Sequence, residues 1–451
     1  MSVLEQARTA LESIVPMGVR GRVATLRGST LLVRGLPMPV GSVVRVRASL
    51  GGGQEQLGEI VGLAEDRAIV MLMGRGDGVR AGDAVEGLQA WASVVAGPGL
   101  LGRVIDAMGR PLDGLPAIRE HGWAPLDPIP VGPMLREPIS QPLRTGVRSL
   151  DLITPIGRGQ RMGIFAGPGV GKSTLLGQIT RQTDADVVVV ALIGERGREV
   201  REFIEDSLGE RGLSRSVVVC ATADESPLMR ARAARAACAV AEHFRDHGKS
   251  VLLVMDSLTR YAHALRQIGL AAGEPPTSRG YTPGVFANMA AMLERAGAVE
   301  LGDGRTGSIT GLYTVLVEGD DFNEPVSDAV RGVLDGHVLL SRELATRGHF
   351  PAVDVLGSVS RLATRLMDGE HAKGRAAVVR LLAAYAKSED LVRIGAYAKG
   401  SSAEVDAAIE FMPAIEGLLQ QAVDDGGAFD GARARLLELA TQVRVRLGGE
   451  G

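Results

Sequence analysis

The run Ala166-Gly167-Pro168-Gly169-Val170-Gly171-Lys172-Ser173 sets small, flexible residues before a lysine and a hydroxyl, the order that cradles a polyphosphate. Arg161 to Ala166 reads as a strand, and Lys172 to Ile179 opens a helix. Between them Gly167, Pro168, Gly169, Val170 and Gly171 form a loop whose backbone N–H groups, Pro168 having none, face one anion, and the helix N-terminus adds positive potential. Lys172 is expected to reach the β- and γ-phosphates, and Ser173 to offer its hydroxyl to Mg²⁺, with Thr174 completing the binding set. The usual first glycine of this pattern is Ala166 here, which is small enough for a strand end. A dinucleotide fingerprint fits less well, because Lys172-Ser173 has no place in it. The chemistry read from this loop is binding of a nucleoside triphosphate.

Such a loop needs a carboxylate at the end of a neighbouring strand to organise Mg²⁺ and its waters. Val251-Leu252-Leu253-Val254-Met255-Asp256 has that form, so Asp256 is the expected partner of Ser173. Its competing reading is a cap on the helix that starts at Ser257. Hydrolysis also needs a group that orients or deprotonates the attacking water. Val190-Ala191-Leu192-Ile193-Gly194-Glu195-Arg196-Gly197 ends another apolar strand and offers Glu195 as base, with Arg196 beside it to balance charge. Glu199 and Glu202 compete for the role but fall at the solvated start of the next helix.

These residues have to be positioned by a chain of 451 residues, too long for one ordinary core. Residues 2 to 15 read as a short amphipathic helix ended by Pro16, with Leu4, Ala7, Leu11 and Ile14 on one face. It either packs on its own domain or docks on a partner or a membrane surface. Residues 17 to 90 hold short apolar runs between glycines, such as Thr30 to Val33 and Ala68 to Leu72, with Gly51-Gly52-Gly53 as a hairpin turn, and predict a small β-barrel or sandwich. From residue 91 to 365, unbroken apolar runs such as Val187 to Ile193 alternate with helical stretches such as Leu228 to Phe244. That is an α/β domain with a doubly wound parallel sheet. Beyond residue 365 the strand signals fade. Ala376 to Tyr385, Ser402 to Leu419 and Gly431 to Leu447 predict a helical domain over 366–451.

Several features together then resemble a known family. Gly194-Glu195-Arg196-Gly197-Arg198-Glu199 is similar to the catalytic-glutamate motif of the rotary ATP synthase β subunit. Glu318 to Pro325, Leu334 to Arg342, Glu274 to Tyr281 and Leu293 to Gly297 look like the type III export-ATPase branch of that family, most of all its flagellar protein export members. The resemblance covers nearly the whole chain. It implies an N-terminal β-barrel, a RecA-like P-loop core and a C-terminal helical domain, assembled as a homohexamer with sites between subunits and ATP with Mg²⁺ as substrate and cofactor. It implies that Arg361, in Ser358-Val359-Ser360-Arg361, reaches the neighbouring subunit's transition state, where its planar cation neutralises developing charge. It implies that Phe350 stacks on adenine where the β subunit has tyrosine, without the hydroxyl. The partners it implies are a stator-like regulator, a central stalk-like protein, an export gate membrane protein, and export substrates with their chaperones. It implies a cytoplasmic chain, peripheral at the inner face of the membrane, that energises flagellar protein export. A virulence-type secretion ATPase fits the same motifs nearly as well.

Composition narrows the alternatives. Lys and Arg number 50 against 53 Asp and Glu, a net charge of −3, and aromatics are 3%. Both weigh against nucleic-acid binding, and so against a Rho-like RNA motor. Glu195 weighs against a non-catalytic ring subunit. Cys220 and Cys238 have no metal-ligand spacing and read as free thiols in a reducing compartment. No apolar run is long enough to span a bilayer, and the first residues lack the pattern of a signal peptide. His243, His247 and His263 read as surface or satisfied core residues, and Arg230, Arg232 and Arg235 as a solvated helix face.

Overall fold

The computed structural model describes residues 18–49, 55–302, 304–317 and 324–448. The expected N-terminal helix, the Gly51-Gly52-Gly53 turn and most of the Glu318 to Pro325 motif lie outside these residues. Strands β1 (Arg20–Arg27), β2 (Thr30–Arg34), β3 (Val43–Arg47), β4 (Glu55–Ala64), β5 (Arg67–Leu72) and β6 (Ala84–Gln89) close into a barrel in the order β1-β2-β5-β4-β3-β6. Alternation drives the closure. Leu31 and Val33 point inward from β2, Val44 and Val46 from β3, and all four are fully buried among Ile60, Val70, Leu72 and Val85. Closing the sheet removes the free edges that short antiparallel strands otherwise present to other chains.

The core sheet is built from β7 (Arg103–Asp106), β8 (Arg161–Ala166), β9 (Val187–Ile193), β10 (Ser216–Ala221), β11 (Ser250–Asp256), β12 (Thr306–Leu316), β13 (Gly336–Leu340) and β14 (Val353–Ser360). Their order is β14-β13-β8-β12-β11-β9-β10-β7. Along this path all neighbours run parallel except β14, which pairs antiparallel with β13, and the short strand Gly297–Glu300 also pairs antiparallel with the start of β12. Every residue of β9 and of β10 is buried, because helices cover both faces of the sheet. The parallel register brings the carboxyl ends of β8, β9 and β11 to one edge, and this edge positions the site.

The helices that matter here are α1 (Arg148–Ile153), α2 (Lys172–Gln182), α3 (Pro227–Asp246), α4 (Leu258–Ala272), α5 (Pro283–Leu293), α6 (Gly369–Arg393), α7 (Ala403–Leu419) and α8 (Phe429–Arg446). α6, α7 and α8 form the predicted helical domain. Their leucines and valines, among them Val378, Leu381, Leu418, Leu436 and Val443, bury with Leu152 and Ile153 of α1 in one cluster. Gln421, just after α7, fastens the junction. Its amide donates to the Gly146 carbonyl at 2.7 Å and accepts from the Arg148 N–H at 2.8 Å, while its own N–H donates to the Phe350 carbonyl at 2.9 Å.

The barrel is fastened differently, and here the sequence reading needs correction. Arg232 and Arg235 do not lie on a solvated face. α3 is alanine-rich, so it lies close under its neighbours, and its two arginines project together toward the barrel. The Arg232 side chain is 1% exposed and donates to Glu59 of β4 at 3.2 Å and to the carbonyls of Ala107 and Ser93 at 3.2 and 3.1 Å. Arg235 takes the other Glu59 oxygen at 2.9 Å and reaches Asp127 at 3.0 Å. Removing Glu59 leaves the buried Arg232 guanidinium without a carboxylate and Arg235 with Asp127 alone. Glu59→Ala is therefore expected to cost about 3–5 kcal/mol of stability, read from urea unfolding by circular dichroism. An unfolding midpoint equal to the parent's contradicts this.

Candidate active site

The phosphate loop is strand, turn and helix as the sequence predicts. β8 ends at Ala166, whose carbonyl accepts from the Val317 N–H at 3.1 Å. Gly169 and Gly171 take φ of +76° and +89°, a backbone region that glycine enters without strain. Val170, Leu175 and Leu176 are buried and pin the loop to the sheet, while Pro168, Gly169, Ser173 and Thr174 face solvent. No side chain caps the first turn of α2. Its N–H groups stay available to an anion, which is the condition a phosphate needs.

Three charged groups converge on this loop. The Lys172 ammonium donates to Asp256 Oδ1 and lies 3.9 Å from Glu195 Oε1. Asp256 also accepts from the Thr314 hydroxyl on β12 at 2.7 Å. Asp256 is therefore held by the loop lysine and a neighbouring strand, and the helix-cap role falls to Ser257, whose hydroxyl accepts from the Arg260 N–H at 3.3 Å. Glu195 is 8% exposed. Its Oε2 pairs with Arg260 Nη2 at 3.1 Å, and its Oε1 is buried without a hydrogen-bond partner among the described residues. Burial first, and then the Asp256 charge, push the Glu195 carboxyl up to about 7, against the pull of Lys172 and Arg260.

Arg260 is the residue that sequence reasoning missed. It sits in the first turn of α4, just past Asp256, donates to the Gly194 carbonyl and forms an ion pair with Glu195. Asp256-Ser257-Leu258-Thr259-Arg260 carried the signal, since the first turn of the helix after a carboxylate strand faces the same edge. Arg196, expected beside Glu195, is not brought there. Its side chain is 76% exposed and turns to Glu199 at 2.9 Å, because Arg196 already lies in the turn that leaves the sheet. Glu202 is exposed and pairs with Arg198 at 2.8 Å, so it stays away from the loop as expected.

The donors fit an octahedral, water-rich Mg²⁺ that takes one carboxylate, one hydroxyl and phosphate oxygens. The Asp256 carboxylate is 3% exposed and already needs a positive partner, which Lys172 supplies here, and the exposed Ser173 hydroxyl stands at the head of α2. Among the described residues no cluster of three or more His, Cys, Asp or Glu offers a rival metal site.

Two expected residues come from further along the sheet. Phe350 follows α5 and β13 in the chain and is 46% exposed. Its ring edge lies 3.5 Å from where a side chain at Gly171 would begin, so it borders the phosphate loop and leaves a face open. Arg361 lies elsewhere. β14 runs against β13, so Ser360 pairs with Gly336 at the amino edge of the sheet, whereas Leu340 pairs with Ala166 at the loop. The four-residue difference puts Arg361 roughly 13 Å along the strands from its own chain's phosphate loop. It is exposed, and its guanidinium touches only the Arg331 carbonyl, at 3.5 Å, among the described residues.

Comparison with known proteins agrees with this architecture part by part. Residues 146–360 match the ATP synthase alpha/beta family nucleotide-binding domain, residues 39–89 its beta-barrel domain, and residues 367–438 the T3SS EscN ATPase C-terminal domain. The flagellum-specific ATP synthase of Pseudomonas aeruginosa is 47% identical over 93% of this chain and 93% of its own length. The type 3 secretion system ATPase of Xanthomonas euvesicatoria is 48% identical over 94% of this chain and 93% of its own length. Among solved structures, the assembled ATPase EscN of the enteropathogenic E. coli type III secretion system is 40% identical, with a TM-score of 0.86 over 93% of this chain and 100% of that one. The same ATPase in complex with its central stalk EscO gives 39% and 0.85 over the same shares.

Proposed function

The chain belongs to the flagellar and type III secretion ATPases of the ATP synthase alpha/beta family, and within that family we propose that it hydrolyses Mg-ATP in a homohexameric ring to energise flagellar protein export. It is an ATPase with the RecA-like core, β-barrel and helical domain of that family. The observation that carries the mechanism is the convergence of Lys172, Asp256, Glu195 and Arg260 beside an uncapped phosphate loop.

In the proposed reaction the N–H groups of Gly167 and of Gly169 to Thr174, with the Lys172 ammonium, hold the β- and γ-phosphates. Phe350 stacks on the adenine. Ser173 and Asp256 would hold Mg²⁺, directly or through its waters, and the ion when bound neutralises charge on the β- and γ-oxygens. Glu195 orients the attacking water and takes its proton. Its raised pKa suits this, because a base works best with a pKa near the working pH. Arg260 fixes the Glu195 carboxylate, the part first expected of Arg196. Arg361 serves the next subunit's site, since it lies too far from its own.

The same reading extends to partners. The EscN relative assembles and binds a central stalk, and we assign this chain a stalk-like partner of the same kind. A stator-like regulator, an export gate membrane protein, and substrates with chaperones complete the set. Among the described residues no helix is long and apolar enough to cross a membrane, and the proposal puts the ring peripherally at the inner membrane face.

A strain lacking this chain is expected to export no flagellar subunits and to be non-motile. The parent gene should restore export and Lys172→Ala should not. Full motility in the deletion strain, with secretion of virulence proteins lost instead, would move the assignment to the virulence branch.

A further inference from the structure

A cavity of about 470 Å³ opens beside the catalytic carboxylate, with Gly194 and Arg260 in its wall. Among the described residues its lining holds four arginines, Arg230, Arg260, Arg266 and Arg279, and one carboxylate, Glu324, which faces Arg279 at 3.9 Å; Arg260 also pairs with Glu195 at the cavity's edge. The Nε atoms of Arg230 and Arg260 are buried without a hydrogen-bond partner among the described residues. Arg230 Nη2 donates to the Gln267 side chain at the long distance of 3.5 Å. Arg266 lies over the Tyr281 ring at 5.1 Å and donates to the Arg279 carbonyl at 3.2 Å, an arrangement that fixes its plane without neutralising it. Burial, together with the charge of Arg260, holds the Arg230 guanidinium below the usual arginine range. Half-buried cations crowded this way are stabilised by an anion between them, and planar guanidinium forks suit an oxyanion best.

We propose that this cavity is a second oxyanion site, which receives the inorganic phosphate cleaved from ATP once it leaves the Lys172–Glu195 cluster. The inference rests on the hydrolytic reading of that cluster. Arg260 belongs to both spaces, since it pairs with Glu195 and lines the cavity. A phosphate that exchanges one Arg260 N–H for another therefore passes from one to the other without losing a cationic partner. Arg230 and Arg266 hold it there, away from the catalytic water, so the back reaction loses its reactant before the nucleotide diphosphate has left.

The test is calorimetric titration of inorganic phosphate into the full chain with Mg²⁺ and a saturating non-hydrolysable ATP analogue, which fills the loop and its γ-position. The expected result is one further phosphate per chain, bound about tenfold or more weakly in Arg230→Gln and in Arg266→Gln, as the loss of a charge-assisted hydrogen bond dictates. Unchanged analogue affinity in both variants shows that they fold. Absence of a second phosphate in the parent overturns the proposal. So does equal phosphate affinity in parent and both variants, and so does binding of pyrophosphate without phosphate. The measurement involves no turnover, so a parent that fails to hydrolyse ATP refutes the hydrolytic reading, whereas a parent that hydrolyses but binds no second phosphate refutes only this site.

Discussion

Glu195→Gln is expected to leave Mg-ATP bound and to slow turnover by roughly 10²–10⁴-fold, the contribution of a positioned general base. The substitution keeps the shape of the side chain and leaves an amide oxygen facing Arg260 Nη2, which lies 3.1 Å from Glu195 Oε2 in the unmodified chain. What it removes is the proton acceptor. The pH profile adds a second signature. A carboxyl pushed up to about 7 is protonated below that pH, so the base form is lost as pH falls. kcat/KM of the parent should therefore decline through about pH 7, far above the ordinary value of 4.5, and Glu195→Gln should lack this acid limb. Equilibrium nucleotide binding and rapid-mixing phosphate release measure both halves. Turnover near the parent's would remove Glu195 from the role, and the nearby Glu199 would be the next carboxylate to replace.

Arg361→Ala is expected to reduce hydrolysis by roughly 10³–10⁵-fold, the effect of removing an arginine that stabilises phosphoryl-transfer charge from another subunit. Nucleotide binding should hold, because this arginine lies at the amino edge of its own sheet, away from its own loop. The decisive measurement mixes inactive chains. Lys172→Ala subunits keep Arg361 and have lost the loop lysine, whereas Arg361→Ala subunits keep the lysine. In mixed rings some interfaces join an intact loop to an intact arginine, so activity returns in part. Mixed rings as dead as either parent would show that Arg361 does not act across the interface. For the same reason the specific activity of the unmodified chain should rise cooperatively with protein concentration in the range where rings form.

The sequence exposes what is local. Ala166 to Ser173 specifies its strand, turn and helix by nearest neighbours, and the structure has the same turn with glycines at positive φ. The apolar runs ending at Ile193 and Asp256 identify two adjacent strands, and the parallel register places both carboxylates beside Lys172. Hidden from the sequence is whatever depends on a side chain crossing between elements. Arg196 is the covalent neighbour of Glu195, yet the turn carries it outward. Arg260, distant in the chain, takes its place because α4 begins at the same edge. Arg232 and Arg235 look like a wet face because helical spacing shows which residues travel together, not what lies opposite. Glu59, the acid that accounts for them, lies 173 and 176 residues away in the chain.

Gln421 sits at a three-way knot. One side chain and its own amide join the helical domain, the segment before α1 and the loop that carries Phe350. A displacement of α6, α7 and α8 that keeps these bonds would carry the Phe350 carbonyl with it. On the proposed reading, in which Phe350 stacks on adenine, a shift of the helical domain would change how firmly the base is held.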